Sequence, residues 1–430
     1  MPQWMKNVLV TGLAMASAPA LAAPQPSGNA HAVVATARQI IHEKYVLPDV
    51  ATALERALTA AELAGTYRGL TGDALAARIN ADMAAVAHDK HLSMSYNPQG
   101  AAELVRAGPG HDGPLQTDVA RAIDRKNAGV RELRVLPGNI RYMAYDGFAW
   151  DSLGAVESLE TAMRFLRGGD AYIIDIRRNG GGSPDAVAAI VSYFLPTGTP
   201  LMRFEMRGDV GESTKAPKAP FSLAGKPLYV LTSQTTVSAA EEFSTHVKAF
   251  GFGRLVGENT AGGGFRNDLA PLPGGYVLSV SVGRAVSLKT GKDWERVGVA
   301  PDIAVPADSA LLLAEHEAMT RIAATASVGE KIGDAALLSY YRALETPVVL
   351  ARAASSYAGT FGDRTVTVAG NGLEVSQAGR PSARLVPVAP DSFAPDINPA
   401  SRMTFVLANG TVKGLQIIQQ DGSVSSVQKE

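Results

Sequence analysis

The chain has no cysteine among its 430 residues, and this absence excludes disulfide bonds, thiolate zinc sites, iron–sulfur clusters and a cysteine nucleophile. It also has no excess of charge of either sign, since 40 Lys and Arg residues face 41 Asp and Glu residues. Without a net basic field, neither nucleic acid nor an anionic membrane surface is favoured as a partner. Hydrophobic residues make up 46% of the chain, which argues against disorder. The composition is typical of a compact enzyme or binding protein with two or three domains.

Long apolar runs are missing as well, because no segment approaches the roughly 20 residues that a membrane span needs. An apolar stretch at residues 8–19 follows Lys6 and ends at Ala20-Leu21-Ala22, which fits the small-x-small pattern of a signal peptidase site. We therefore predict a signal peptide at residues 1–22. The mature chain is expected to be exported, to the periplasm or outside the cell.

Apolar periodicity divides the rest of the chain into three parts. The helical period of residues 33–86 predicts an N-terminal helical domain over 23–105. Strand-like runs then alternate with helical patterns, which predicts an α/β core over 128–325. Over 350–430, short β runs are separated by Asn-Gly and Asp-Gly pairs, which predict an antiparallel meander or small barrel. The expected fold class is thus α/β, with a helical unit before the core and a β unit after it.

Several elements of the core can be placed from the sequence. A Gly/Pro-rich stretch at 108–114 predicts a surface loop before the core. The predicted strands are residues 130–136, 140–145, 171–177, 227–232, 254–256 and 276–282. The predicted helices are residues 153–166, a segment from about 186, and residues 239–250.

The first candidate for chemistry is Ser238, which lies where a predicted strand ends and a predicted helix begins. A serine at a helix start can be reached from solvent, and the following amide, that of Ala239, carries the positive end of the helix dipole. Ser238 could therefore be a nucleophile and Ala239 one donor to an oxyanion. The alternative is a capping box, since Ser-x-x-Glu allows Ser238 to bond the amide of Glu241 and do nothing else.

The second candidate is the glycine run Gly180-Gly181-Gly182, which follows Asn179 directly after a predicted strand. Consecutive glycines let backbone amides approach an anion closely. The run lacks both the Gly-Lys-Ser/Thr of a phosphate loop and the GxGxxG spacing, so nucleotide binding is disfavoured. A tight strand-to-helix turn explains the glycines equally well.

A serine nucleophile needs a base, and His91 is one of seven histidines that could supply it. His88 and His91 also suggest a metal pair, but no HExxH pattern or third ligand stands near them, and we predict no metal and no cofactor. Glu295 precedes a turn and could orient an imidazole. Taken alone, each of these residues is more often a surface or structural residue.

Together these segments resemble the tail-specific, or C-terminal processing, serine peptidase family, which includes the tricorn protease core and the interphotoreceptor retinoid-binding protein repeats. The matching segments are, in order, residues 172–182, 230–243, 257–263 and 298–303. The resemblance implies a crotonase- or Clp-like α/β peptidase core of mixed sheet with helices.

The resemblance also implies roles for the candidate residues. Ser238 matches the nucleophile, and the amides of Ala239 and of the loop Gly180, Gly181 and Gly182 match the oxyanion hole, with Gly181 favoured within the loop. The processing branch has a lysine base where this chain has Gly263. The branch of tricorn and the retinoid-binding proteins uses a histidine and a glutamate, which here are His91 and Glu295. No PDZ domain fits before the core, which favours the same branch.

The function implied by the resemblance is that of an exported serine-type peptidase acting on a peptide or protein substrate through an acyl-enzyme. A different function also follows from the family, because retinoid-binding relatives carry apolar ligands. In that case Ser238 would be only a helix cap. The C-terminal β unit resembles small lipocalin-like modules, and we assign it no chemistry.

Overall fold

The protein is described by a computed structural model that covers residues 30–108, 115–150, 153–209, 211–327 and 329–430. The predicted signal peptide and most of the predicted loop at 108–114 lie outside these residues. In the described part of the chain, no helix combines the length and apolar character needed to cross a membrane.

The N-terminal region is helical, as its periodicity predicted. Helices α1 (Ala30–Lys44), α2 (Pro48–Leu63) and α3 (Gly72–Ala87) bury their apolar faces against one another. Two further helices, α4 (Pro98–Ala107) and α5 (Leu115–Arg125), were not predicted. Between α3 and α4 the short strand β1 (Ser93–Tyr96) leaves the helical region and joins a sheet.

The core contains a mixed sheet. Its strands are β2 (Val130–Leu136), β3 (Ile140–Tyr145), β4 (Ala171–Asp175), β7 (Leu228–Thr232), β8 (Arg254–Gly257) and β11 (Ile303–Ala304). Their order is β11-β8-β7-β4-β3-β2, parallel throughout except for the antiparallel edge pair β2 and β3. Because β4 and β7 are parallel neighbours, the segments that follow them emerge at the same edge of the sheet. Both predicted site loops therefore lie there.

Helices cover both faces of this sheet. Helices α6 (Leu153–Arg167), α7 (Pro184–Val191) and α8 (Ala239–Phe250) pack on one face, and α9 (Ala310–Thr325) packs on the other. Strands β4 and β7 are fully buried, which explains why they read as continuous apolar runs.

A second, antiparallel sheet lies between the helical region and the core. Its strands are β1, β5 (Pro200–Met206), β6 (Ser213–Lys215), β9 (Phe265–Leu272) and β10 (Tyr276–Ser287). Residues 276–282 were expected to complete the alternating strand set, but they belong to β10, which pairs with β1, β5 and β9. The pairing of Ser93 with Ser279 fixes the segment before β1 against the core.

The C-terminal region follows helix α10 (Lys331–Glu345) and is entirely antiparallel. Its strands are β12 (Gly359–Phe361), β13 (Arg364–Ala369), β14 (Gly372–Gln377), β15 (Ala383–Ala389), β16 (Ser392–Pro395), β17 (Arg402–Ala408), β18 (Thr411–Ile418) and β19 (Val424–Gln428). Each pairs with the next in chain order, and a bridge between Phe361 and Lys429 brings the two ends together. Aromatic side chains, including Tyr357, Phe393 and Phe405, fill the interior. The fold class predicted from the sequence is confirmed.

Candidate active site

Ser238 stands at the turn between β7 and α8 in an unusual backbone conformation. Its φ is +61° and its ψ is −124°, a region that non-glycine residues rarely occupy. Two hydrogen bonds hold the turn in place. Thr236 Oγ1 donates to the carbonyl of Ile176 at 2.9 Å, and Val237 N–H donates to the carbonyl of Asn179 at 3.1 Å. These bonds tie the serine turn to the loop that follows β4.

The side chain of Glu241 fixes a second loop to the serine turn. It is fully buried and accepts hydrogen bonds from Ser238 N–H at 3.0 Å, Thr260 Oγ1 at 2.6 Å, Gly262 N–H at 2.6 Å and Gly263 N–H at 2.8 Å. Burial raises the pKa of this carboxyl group, and the four donors oppose the rise. Only the Glu241 half of the predicted capping box is made: Glu241 accepts Ser238 N–H, whereas the N–H of Glu241 bonds the carbonyl of Ser238 at 2.8 Å and not its hydroxyl. Glu241 also does more than cap a helix.

The glycine loop packs directly against Ser238. A Cβ atom on Gly181 would stand 2.7 Å from Ser238 Cβ and 3.1 Å from Ala239 N, so only glycine fits there. The N–H of Gly181, however, donates to Asn179 Oδ1 at 2.8 Å, and Asn179 Nδ2 in turn donates to the carbonyl of Tyr145 at 2.8 Å. The amide that the resemblance favoured as an oxyanion donor is thus engaged within its own loop.

Gly182 has a different environment from Gly181. The carbonyl of Phe148 accepts a hydrogen bond from Ser183 N–H at 2.7 Å, and the N–H of Phe148 donates to the carbonyl of Gly181 at 2.8 Å. In such a parallel bridge the N–H of the middle residue, Gly182, points away from the partner strand. Gly182 also lines a pocket together with Ser238 and Ala239. Gly180 precedes them in the loop and is partly exposed.

His91 is carried into the core by the segment between α3 and β1. Asp89 accepts the N–H of His91 at 2.8 Å, and Tyr45 Oη donates to the same carboxylate at 3.0 Å. His91 is 7% exposed, and none of the described residues gives its Nδ1 a hydrogen-bond partner. Burial lowers the pKa of His91, partly offset by the charge of Asp89.

Glu295 is held by the backbone of the loop before β9. Its Oε2 accepts Gly264 N–H at 2.6 Å and Phe265 N–H at 3.2 Å. Its Oε1 is buried, and no group in the described part of the chain bonds it. Burial raises the pKa of Glu295 to about 7, and the nearby charge of Asp89 adds to the rise.

The loop at residues 260–264 brings these groups together. A Cβ atom on Gly263 would stand 3.0 Å from His91 Cε1, 2.9 Å from Val237 Cγ2 and 3.6 Å from Glu241 Oε2. The adjacent glycine, Gly264, binds Glu295. The imidazole of His91, which comes from the end of the helical region, therefore lies beside the serine turn. A side chain at position 263 would clash with it.

Three contributors to this arrangement were not identified from the sequence. They are Asp89 and Asn179, each of which orients a neighbouring loop, and Glu241 in its role beyond the cap. Of the three, only Asp89 has a signal in the sequence, the Asp-x-His step of residues 89–91. Among the described residues, no cluster of three or more His, Cys, Asp or Glu side chains is arranged to hold a metal ion.

Two parts of the chain resemble known proteins. Residues 139–305 match peptidase family S41, and residues 14–120 match the N-terminal domain of peptidase S41 in eukaryotic IRBP. A carboxyl-terminal-processing protease of Picosynechococcus sp. is 34% identical over 140 residues, which make up 33% of each chain. The chloroplastic carboxyl-terminal-processing peptidase 2 of Arabidopsis thaliana is 30% identical over 224 residues, or 50% of this chain and 42% of the relative.

The chain thus spans about a third to two fifths of the length of these relatives. A solved structure of a photosystem II D1 C-terminal processing protease aligns with 65% of this chain and 93% of its own, with 17% identity and a TM-score of 0.42. The sequence matches confirm the predicted family resemblance.

Proposed function

We propose that this chain, whose residues 139–305 match peptidase family S41, is an exported peptidase that hydrolyses peptide bonds through an acyl-enzyme on Ser238. His91 acts as the general base and Glu295 orients and stabilises the imidazolium. The substrate is a peptide or protein. Export rests on the signal-peptide pattern at residues 1–22.

In the proposed reaction the imidazole of His91 takes the hydroxyl proton as Ser238 Oγ bonds to the scissile carbonyl carbon. The imidazolium then gives that proton to the leaving amine, and the C–N bond breaks. Water then attacks the acyl carbon while the same imidazole takes its proton, the C–Oγ bond breaks, and the imidazolium returns the proton to Ser238 Oγ. The N–H groups of Ala239 and Gly182 stabilise the oxyanion in both halves, and Gly181 serves by its close fit rather than by its N–H.

One observation carries the proposal: the backbone of Gly263 adjoins the buried imidazole of His91 on one side and the serine turn, through Val237 and Glu241, on the other. The unpartnered Nδ1 of His91 and Oε1 of Glu295 lie at two consecutive glycines of the same loop. A buried polar atom without a partner is costly in a structural role. In the proposed triad a hydrogen bond from His91 Nδ1 to Glu295 Oε1 would satisfy both atoms, and none of the described residues partners either of them in this structure.

A fluorophosphonate probe tests the nucleophile directly. The wild-type protein should be labelled and should hydrolyse casein, and Ser238→Ala should do neither. Ser244→Ala is the matched control, because Ser244 lies on the same helix and its hydroxyl only bonds the carbonyl of Ala240; it should be labelled like the wild type. Equal labelling of Ser238→Ala, or no labelling of the wild type together with tight binding of an apolar ligand, would favour the carrier function instead.

A further inference from the structure

A pocket beside Ser238 contains a carboxylate that the proposed reaction does not use. Glu242 lines this pocket, one helical turn beyond the serine, and is only 2% exposed. Its Oε1 has no hydrogen-bond partner in the part of the chain that the structure describes. A buried carboxylate oxygen in this condition is unfavourable unless a ligand completes its bonding.

The nearest basic group to this carboxylate is His246, on the same helix. Its Nε2 lies 3.6 Å from Glu242 Oε1, which is too long for a hydrogen bond. His246 is completely buried, and neither of its ring nitrogens has a partner among the described residues. Burial raises the pKa of Glu242, and His246 only partly opposes the rise. The pair is therefore incompletely satisfied by the protein itself.

The other charge that lines the pocket is positive. Arg266 is largely buried, and its guanidinium interacts with the carboxylates of Asp268 and Asp185, which oppose the lowering of its pKa by burial. The charge of Arg266 is thus countered by two carboxylates, and one of them, Asp185, also repels the carboxylate of Glu242. Among the described residues, His246 is the basic group that opposes the charge of Glu242. The charge balance around the pocket favours a cation. Its walls are apolar, formed by Phe204, Ala285 and Trp294 among others.

We infer that this pocket receives a basic side chain, lysine or arginine, from the substrate residue that supplies the scissile carbonyl. The inference rests on the proposed function, since the pocket adjoins both Ser238 and Ala239. The methylene groups of such a side chain would lie along the apolar walls, and its ammonium or guanidinium group would donate to Glu242 Oε1. An apolar side chain would leave that oxygen without a partner, and an acidic one would be repelled.

The test compares two peptides that differ only in lysine or norleucine before the scissile bond, with mass spectrometry to confirm the cleaved bond. We expect kcat/KM of the wild type to favour lysine by about 10-fold or more. In Glu242→Gln the ratio should fall to within about 3-fold of unity. Glu317→Gln, a surface substitution of the same type on α9, should keep the wild-type ratio. Equal rates for the two peptides in the wild type would overturn the inference without any variant.

Binding separates this inference from the proposed function. Calorimetry on Ser238→Ala should show tighter binding of the lysine peptide, and Ser238→Ala/Glu242→Gln should lose the difference. A binding preference without hydrolysis by the wild type would support the pocket and refute the peptidase; hydrolysis without any preference would do the opposite. If Glu242 and His246 form only a structural pair, Glu242→Gln will lower Tm and leave the selectivity ratio unchanged, which would also overturn the inference.

Discussion

The substitution Gly263→Ala tests whether the imidazole of His91 must stand where the structure has it. The added Cβ would lie 3.0 Å from His91 Cε1 and 2.9 Å from Val237 Cγ2. Carbon atoms in contact prefer about 3.5–4.0 Å, so the ring or the loop must move by about 0.5–1 Å. Because the imidazole is buried, it has little room to retreat.

The expected loss is large compared with the size of the change. A misplacement of about 1 Å in a reacting group can cost about 10²-fold in rate, and we expect kcat/KM for casein peptides to fall by about that factor. Overpacking of this kind typically destabilises a protein by about 1–3 kcal/mol. The assay therefore pairs hydrolysis kinetics with urea denaturation at the same pH, so that loss of fold is not read as loss of catalysis.

Gly372→Ala is the control, because Gly372 has no atom closer than 3.9 Å to the added methyl group and no positive φ. It should leave both rate and stability within error of the wild type. A Gly263→Ala protein that is folded and keeps the wild-type kcat/KM would refute the placement of His91 as base.

Three further predictions concern the buried acids. The pH profile of kcat/KM should rise with an apparent pKa of about 7, set by Glu295 rather than by His91; a rise only above about pH 9 would indicate a lysine base. Glu295→Gln should lower kcat by about 10²-fold or more yet raise stability at pH 8 by about 1–2 kcal/mol after screening, measured by urea denaturation. The sign follows from the raised pKa of Glu295: the protonated carboxyl contributes stability that is complete below about pH 4.5 and is lost as pH rises through about 7, so at pH 8 the wild type carries a buried charge that the variant lacks. A lower stability of the variant at pH 8 would contradict this reasoning. Glu241→Gln should cost about 2–4 kcal/mol, since it weakens four hydrogen bonds, and unchanged urea midpoints would refute its role.

The elements that sequence predicted best are those with an unambiguous local signal. The continuous apolar runs of β4 and β7 are typical of doubly covered strands. The pair Asn409-Gly410 forms the predicted hairpin turn, whereas the turn predicted at Asn371-Gly372 lies one residue earlier, at 370–371, because Gly372 already pairs with Ala369. Helix α8 begins one residue after Ser238, as its capping sequence required. In each case the deciding interaction is confined to a few neighbouring residues.

The second sheet could not be predicted in the same way. Strand β10 pairs with β1, which leaves the helical region almost two hundred residues earlier in the chain. Nothing local to residues 93–96 shows which strand they will join, and β9 and β5 carry mixed burial patterns. The pairing depends on how separate regions dock.

In the candidate site too, the sequence indicates residues that belong to a motif but not the contacts that depend on the fold. Ser238, His91 and Glu295 were selected by resemblance, and their roles stay predictions until the experiments above are done. The engagement of Gly181 by Asn179 depends on a side-chain rotamer within the loop, which a glycine motif does not specify. The unpartnered carboxylate of Glu242 is visible only once burial is known, because in sequence it reads as the second acid of a helix start.

The docking of β1 onto β10 has a consequence for when the protein can act. The proposed base lies in the amino-terminal region and the proposed nucleophile lies at the central sheet, so a partly synthesised chain has the serine without its base. Under the proposed function, the hydrolytic centre exists only after both regions have folded and joined. A fragment consisting of the core alone should therefore be inactive even when it is well folded.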